Sequence, residues 1–349
     1  MLDNIRLSSD ETAVIILDQT KLPGKAEELR LTTAAEMREA IMTLQVRGAP
    51  AIGIFAAYAL YVLAKSIPAK ADFHRTLKEI KNSLNSTRPT AVNLSHALGR
   101  MMNAAKKAGK KRESVLKALG DECRQIQHED VAVCRSISEY ALTLVKDNWG
   151  IMTYCNAGPL ATSRYGTALG GIFLGHERGY RFNVYCCETR PLMQGARLTA
   201  FELSEEGINT TLICDNMASR VMSEGRVQAC FVGCDRVAAN GDTANKIGTS
   251  MVAVLAKHYK IPFYVFCPTS TLDLNCKSGK DIIIETRDEA EIHTGYFRER
   301  LAPENESIKI YNPSFDVTPA NLITAIVTEN GIIKPPFEDS FKAIIRKKR

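Results

Sequence analysis

The sequence has 349 residues, 45% apolar and 24% charged, and its 45 Lys and Arg outweigh 39 Asp and Glu to a net charge of +6. That is the mix of a soluble globular chain of about two domains. It excludes long disordered stretches, and the charge is too mild to argue for nucleic acid. The positive charge gathers at Lys106, Lys107, Lys110, Lys111 and Arg112 and in the tail Arg346-Lys347-Lys348-Arg349. Neither cluster carries the aromatic or groove-reading elements of a nucleic-acid site, so both read as a solvated helix face and a frayed tail. The ten Cys form no CxxC pair, and several, such as Cys186-Cys187, Cys230 and Cys267, sit inside apolar runs. This fits reduced thiols in a reducing compartment. The start, Met1-Leu2-Asp3-Asn4, lacks the basic-then-apolar pattern of a signal peptide, and no apolar run reaches the roughly 20 residues of a membrane span. The expectation is a cytoplasmic protein that meets neither membrane nor nucleic acid.

In chain order, residues 13–17 are apolar and partly β-branched and read as a strand. Gln19 to Gly24 is a polar turn, and residues 29–31 can pair back. From Ala34 the pattern turns helical, with Met37, Ile41 and Leu44 at helical spacing and Thr33 as N-cap. A helix rich in small residues follows Arg47-Gly48-Ala49-Pro50. Helices are predicted near 71–85 and 92–107, with the loop Ser86-Thr87-Arg88-Pro89-Thr90 between them. A long helical stretch runs from about 113 to 146, its stripe marked by Leu116, Leu119, Cys123, Ile126, Ile137, Tyr140 and Leu144.

After Gly150 short apolar runs alternate with helical segments. Strands are predicted over 151–154, 182–187, 210–214, 229–233 and 263–267, and helices over 193–206, 218–224 and 244–259. Such alternation implies parallel strands with right-handed helical crossovers. The fold class is therefore α/β. A smaller, mostly helical N-terminal domain with a short β element (1–125) precedes a doubly wound, Rossmann-like parallel-sheet domain (126–349).

In open parallel sheets ligands bind at the carboxyl ends of strands, which selects four loops. Cys155, in Thr153-Tyr154-Cys155-Asn156-Ala157-Gly158, is either a thiol made nucleophilic by helix N–H groups at a strand-to-helix turn or a buried structural Cys. The loop from Glu188 to Arg197 gathers Arg190, Gln194 and Arg197, an anion grip or a salt bridge with Glu188. Asp215 is most simply a helix cap. Asp235, after Gly233-Cys234, is a partly desolvated acid or base, an N-cap, or the ion partner of Arg236. Asn245-Lys246 is expected to open a helix and to bind a polar oxygen or phosphate there. Arg47, before a glycine and a helix start, and Arg88 are weaker anion candidates. There is no GxGxxG or GxxxxGK[ST] signature. The six His are scattered, which argues against a zinc site or a triad.

Together, the runs Leu17 to Pro23, Val46 to Gly53, Tyr154-Cys155-Asn156-Ala157-Gly158, Glu188-Thr189-Arg190-Pro191 through Ala200, and Gly233-Cys234-Asp235-Arg236 through Thr249 resemble the S-methyl-5-thioribose-1-phosphate isomerases. That family belongs to a wider group with regulatory subunits of a translation-initiation exchange factor and ribose-1,5-bisphosphate isomerases. The resemblance implies Cys155 as the catalytic cysteine and Asp235 as the catalytic acid. It implies Arg47, Gly48, Ala49, Arg88, Gln194, Asn245 and Lys246 as substrate-binding positions. It also implies no metal or organic cofactor and a homodimer. The implied reaction turns 5-methylthioribose 1-phosphate into the ketose 1-phosphate in methionine salvage. Tyr154 stands where the family commonly has His, Cys234 where it commonly has Ala, and Cys187 where a polar or small residue is more usual. A paralogous branch acts on 5-deoxyribose 1-phosphate, and the 5-substituent stays open between the two. A non-catalytic regulatory subunit of the same fold would be expected to lack Cys155 or Asp235.

Overall fold

A computed structural model describes residues 4–88, 91–293 and 309–346. Met1 to Asp3, Pro89, Thr90 and Lys347 to Arg349 lie outside the described residues, and with them the expectations for the chain start, the proline-ended loop and the tail. The chain divides into two compact units, Met1–Ala132 with Pro159–Gly166, and Val133–Gly158 with Thr167–Arg349.

In the first unit β1 (Ile5–Leu7), β2 (Val14–Leu17) and β3 (Glu28–Leu31) form an antiparallel meander, with Val14 opposite both Leu7 and Leu31. Helix α1 (Ala34–Met42) starts at Thr33, whose hydroxyl accepts from Glu36 N while the Glu36 carboxylate accepts from Thr33 N. That reciprocal pair satisfies two donors left open by helix geometry. Helix α2 (Ala49–Lys65) is buried continuously from Ala51 to Ala64. It is apolar on every face because it is packed on every face. Around it lie α3 (Phe73–Asn85), capped by Asp72, and α4 (Val92–Lys107). Gly53 lets α4 approach, since a Cβ there would stand 3.0 Å from the Asn93 carbonyl oxygen. The division between units falls within α5 (Arg112–Leu142). Its Val115, Leu119, Cys123 and Ile126 belong to the first core, and Ile137, Ala141 and Leu142 are also buried. Tyr140, expected on the stripe, is 36% exposed, because Ala141 takes the inward position beside Gly171.

The second unit is built on β4 (Gly150–Tyr154), β5 (Asn183–Cys187), β6 (Thr210–Ile213) and β7 (Ala229–Val232), with α6 (Gly170–Glu177), α7 (Ala200–Glu205) and α8 (Ala218–Ser223) between them. The chain continues through β8 (Arg236–Ala238), β9 (Thr243–Lys246), α9 (Thr249–His258), β10 (Phe263–Phe266), β11 (Leu272–Asp273), α10 (Ala290–His293), β12 (Phe315–Thr318), β13 (Ala325–Thr328), β14 (Gly331–Ile333) and α11 (Phe337–Arg346). Among the described residues one sheet has seven strands in the order β14-β13-β10-β7-β4-β5-β6, parallel except for β14. All five residues of β4 are buried, as expected for a strand covered on both faces. Each buried aliphatic side chain here is worth about 1.5–3 kcal/mol over an exposed one. The chain winds from β4 outward through β5 to β6, then returns to lay β7 on the other side of β4. The boundary between β4 and β7 is thus the topological switch point.

The expected parallel α/β architecture is present, but the main sheet also holds β13 and β14, which were not among the predicted strands, and further differences lie outside it. A second sheet, β11-β8-β9-β12, occupies a region read as loop and helix. Residues 244–246 form the end of β9 instead of opening a helix, and α9 begins only after Gly248. Gly248 has φ +100°, a conformation that no helix interior accepts, and this breaks the apparent helical run. The predicted 193–206 helix is a π-turn over Gly195–Thr199 that runs into α7. Gly195 is required there, because a Cβ would fall 1.7 Å from the Cys187 carbonyl oxygen.

Candidate active site

The loops leaving β4 and β5 at their carboxyl ends are tied to each other by buried hydrogen bonds, and the loop after β7 packs against the β4 loop. Tyr154 on β4 is in register with Val232 on β7, so the chain emerges from these adjacent strands at the same edge. Cys155 follows one strand directly, and Asp235 follows the other after Gly233-Cys234. Gly233 lets the two loops meet, since a Cβ there would stand 2.7 Å from Ala157 Cβ.

Cys155 is buried, with φ +64°. Its N–H donates to Thr189 Oγ1 at 2.9 Å, and its carbonyl accepts from Thr199 Oγ1 at 2.6 Å. Thr189 (φ +66°) and Met193 (φ +57°), both in the loop after β5, share the left-handed conformation. Such residues cost about 1–3 kcal/mol each and gather where function requires the geometry. The expected strand-to-helix turn at Cys155 is not formed. A short 3₁₀ turn, Pro159–Ala161, comes next, and α6 starts at Gly170, so no helix N-terminus follows the thiol directly.

Asp215, expected as a helix cap, makes no capping bond to its own helical turn. Its two carboxylate oxygens instead accept from Thr189 N and Arg190 N, both at 2.8 Å. It therefore fixes the loop after β5. Burial, with the negative charge of Asp215 nearby, pushes the Tyr154 phenol well above its ordinary value. Tyr154 fits over Gly248, where a Cβ would lie 2.0 Å from the hydroxyl oxygen. Burial likewise raises the thiols of Cys186, Cys187 and Cys230, and all ten cysteines are free.

In the same loop Gln194 is buried, and its Oε1 has no hydrogen-bond partner, an acceptor left open for a ligand's O–H or N–H. Arg190 donates Nη2 to the Ile292 carbonyl, 3.1 Å away. Asp235 is exposed, at variance with the expected partial desolvation, and its N–H donates to the Ala244 carbonyl. Strand β8 follows it, which removes the N-cap reading, and Arg236 turns to Asp273 at 3.6 Å. Asn245, at the end of β9, is buried and donates to Thr249 Oγ1. Lys246 lies with its ammonium 4.5 Å from the centre of the Phe315 ring. Cys155, Gln194, Asp235, Asn245 and Lys246 thus all belong to the second unit.

The first unit holds Arg47, Gly48, Ala49 and Arg88. Arg47 and Arg88 are half-buried. Gly48 (φ +93°) is the N-cap of α2, and a Cβ there would meet Ala161 Cα at 2.5 Å. Ala49 begins the helix and is exposed.

Sequence reasoning gave no role to Thr189, Thr199, Asn156, Glu202 or Asp316. Asp316 on β12 accepts from Gly248 N, Ser250 N and Ser250 Oγ and so caps α9 from a distant strand. No local signal announces that contact. The two threonines lie inside motif runs, and only their bonds to the Cys155 backbone reveal their use.

A profile of the initiation factor 2 subunit family matches residues 45–335. The chain is 54% identical to a methylthioribose-1-phosphate isomerase of Symbiobacterium thermophilum, over 99% of this chain and 97% of that one. It is 50% identical to a 5-deoxyribose 1-phosphate isomerase of Petrotoga mobilis, over 97% and 98%. The crystal structure of 5-methylthioribose 1-phosphate isomerase from Pyrococcus horikoshii superposes with a TM-score of 0.94 at 38% identity, covering 99% of this chain and 96% of that one. That of translation initiation factor eIF-2B, subunit delta, from A. fulgidus gives 0.91 at 41%, covering 99% and 100%.

Proposed function

This chain belongs to the initiation factor 2 subunit family, and we propose that within it the protein is an aldose–ketose isomerase of a 5-substituted ribose 1-phosphate, with 5-methylthioribose 1-phosphate as substrate. One observation carries the reading. Cys155 and Asp235 leave adjacent parallel strands at the topological switch point, where open α/β sheets bind ligands. The full-length identity to named isomerases supports the same class.

The substrate's chemistry explains why an acid and a second group are needed. Its anomeric oxygen is esterified, so the ring cannot open to a free aldehyde. Asp235, protonated, gives its proton to the ring oxygen as the bond from that oxygen to C1 breaks. Cys155 thiolate then takes the C2 proton, giving a C1–C2 enol; the thiol returns that proton to C1 while the C2 hydroxyl gives its own to the Asp235 carboxylate, leaving the ketone at C2 and both groups restored. In the alternative course the C2 hydrogen moves to C1 as hydride, and the C2 hydroxyl gives up its proton. Both routes conserve electrons within the sugar. Asp235 is exposed in the free protein, so its desolvation comes with the bound sugar. Gln194, with its open acceptor, serves a sugar hydroxyl. Arg47, Arg88 and Lys246 supply positive charge for the phosphate, and Gly48, Ala49 and Asn245 supply backbone and amide contacts. We further propose a homodimer, on the resemblance, and a cytoplasmic location, on the ten free cysteines.

The second reading, 5-deoxyribose 1-phosphate as substrate, is favoured by the Petrotoga mobilis relative. The test is to supply both sugar phosphates and follow ketose formation. The expected result is turnover of both, with the higher kcat/KM for the methylthio sugar. Cys155→Ser and Asp235→Asn should each lower kcat by at least about a hundredfold. Absence of ketose from either substrate would refute the isomerase reading.

A further inference from the structure

We propose that Thr189 and Thr199 are positioning residues that hold Cys155 in its left-handed conformation, with Asn156 and Glu202 fixing the direction of the Thr199 bond. The inference rests on the catalytic role assigned above to Cys155. A non-glycine residue at φ +64° reverts to extended or helical backbone unless its polar groups are held. Here both are held by hydroxyls from outside its own strand. Cys155 N–H donates to Thr189 Oγ1 (2.9 Å), and that hydroxyl spends its one hydrogen on the Cys187 carbonyl (3.1 Å). Thr199 Oγ1 gives its hydrogen to the Cys155 carbonyl (2.6 Å).

The second bond has its polarity set from behind. Asn156 Nδ2 has two hydrogens, and it donates to Thr199 Oγ1 (3.1 Å) and Glu202 Oε2 (2.5 Å). A carboxylate only accepts, so the Asn156 amide must turn its NH2 toward Glu202 and Thr199. Thr199 then accepts from Asn156 and is free to donate only toward Cys155. All four side chains are buried: Thr189 and Thr199 are 0% exposed, Glu202 1% and Asn156 5%. Water therefore does not substitute for a lost partner. Thr189 is also held at its backbone by Asp215, and Thr199 lies in the π-turn before α7, so the two clamps come from fixed backbone.

The test compares Thr199→Val and Thr189→Val, close in shape and without the hydroxyl, with Thr199→Ser and Thr189→Ser, which keep it. Each Val variant should lose tenfold to a hundredfold in kcat with KM changed less than about threefold. Each Ser variant should recover to within about threefold of wild type, and circular dichroism should show all four folded. A Val variant with wild-type kcat would overturn the inference. So would a Ser variant as impaired as its Val counterpart, or a loss confined to KM. If a Val variant is unfolded, Asn156→Asp is the deciding protein. It replaces the amide donor with an acceptor facing Glu202, and should show the same loss in kcat alone; wild-type kcat there would overturn the inference. A fully active Cys155→Ser enzyme would instead refute the assigned role of Cys155, a result separate from these.

Discussion

Replacing Asp130 with Asn should change how stability depends on pH. The Asp130 carboxyl accepts from Ser163 N at 2.9 Å and from Ser163 Oγ at 2.6 Å, both on the same oxygen. Desolvation outweighs those bonds and raises the carboxyl from 3.8 to about 6. Between those values the folded protein binds the proton and the unfolded chain does not, so stability falls as pH rises through this window and levels off above about 6. A full shift of that size is worth up to about 3 kcal/mol. Asp130 is only half-buried, so about 1.5 kcal/mol is the expected effect. Asn keeps the accepting oxygen and cannot ionise. The variant should therefore match wild type near pH 4 and exceed it by about 1.5 kcal/mol at pH 7. Urea unfolding at pH 4, 5, 6 and 7, with the slope of each transition checked for constancy, measures the difference. Wild-type and variant profiles that run parallel across that range would refute the account of Asp130 as a carboxyl raised by burial.

Gly48→Ala should destabilise the protein by about 3 kcal/mol or more, because φ +93° disfavours a Cβ and Ala161 leaves it no room; a shift in the urea midpoint below about 1 kcal/mol would contradict this. Asp215→Ala should lower kcat/KM at least tenfold while the protein stays folded, since Thr189 N and Arg190 N lose the carboxylate that accepts from both and the loop carrying Gln194 loosens; steady-state kinetics with circular dichroism decide it.

The centre of the parallel sheet was legible because β4 and β7 are buried on both faces, whereas β13, just as buried, was not predicted. The runs at β4, β7 and β10 are mostly apolar, β5 is apolar after Asn183, and the predicted and observed bounds differ by about one residue, as fraying ends allow. The mixed sheet β11-β8-β9-β12 was not legible. Strands β8, β9 and β12 are short, and Thr243-Ala244-Asn245-Lys246 has no apolar alternation strong enough to oppose the helical pattern that follows. What makes it a strand is pairing with Phe315 to Thr318, far along the chain. Thr33, by contrast, was read correctly as a cap because its partner, Glu36, is three residues away.

The same division between local and distant causes runs through the site. The rule about strand ends located Cys155 and Asp235 from local pattern, yet it assigned wrong surroundings to both. Cys155 was expected beside a helix N-terminus and is instead gripped by two threonines from a neighbouring loop. Asp235 was expected half-desolvated and is exposed at the head of a strand. Asp215 was expected to cap the turn it begins and instead holds the loop after β5. The errors at Cys155 and Asp215 replaced a tertiary partner with the nearest sequence neighbour. A strand end dictates where a side chain emerges, because the sheet fixes its register. It does not dictate what binds the backbone there, since those donors and acceptors arrive from other strand ends. A chemically reactive residue found at such an edge therefore has a predictable position and an unpredictable environment, and it is the environment that the threonine variants probe.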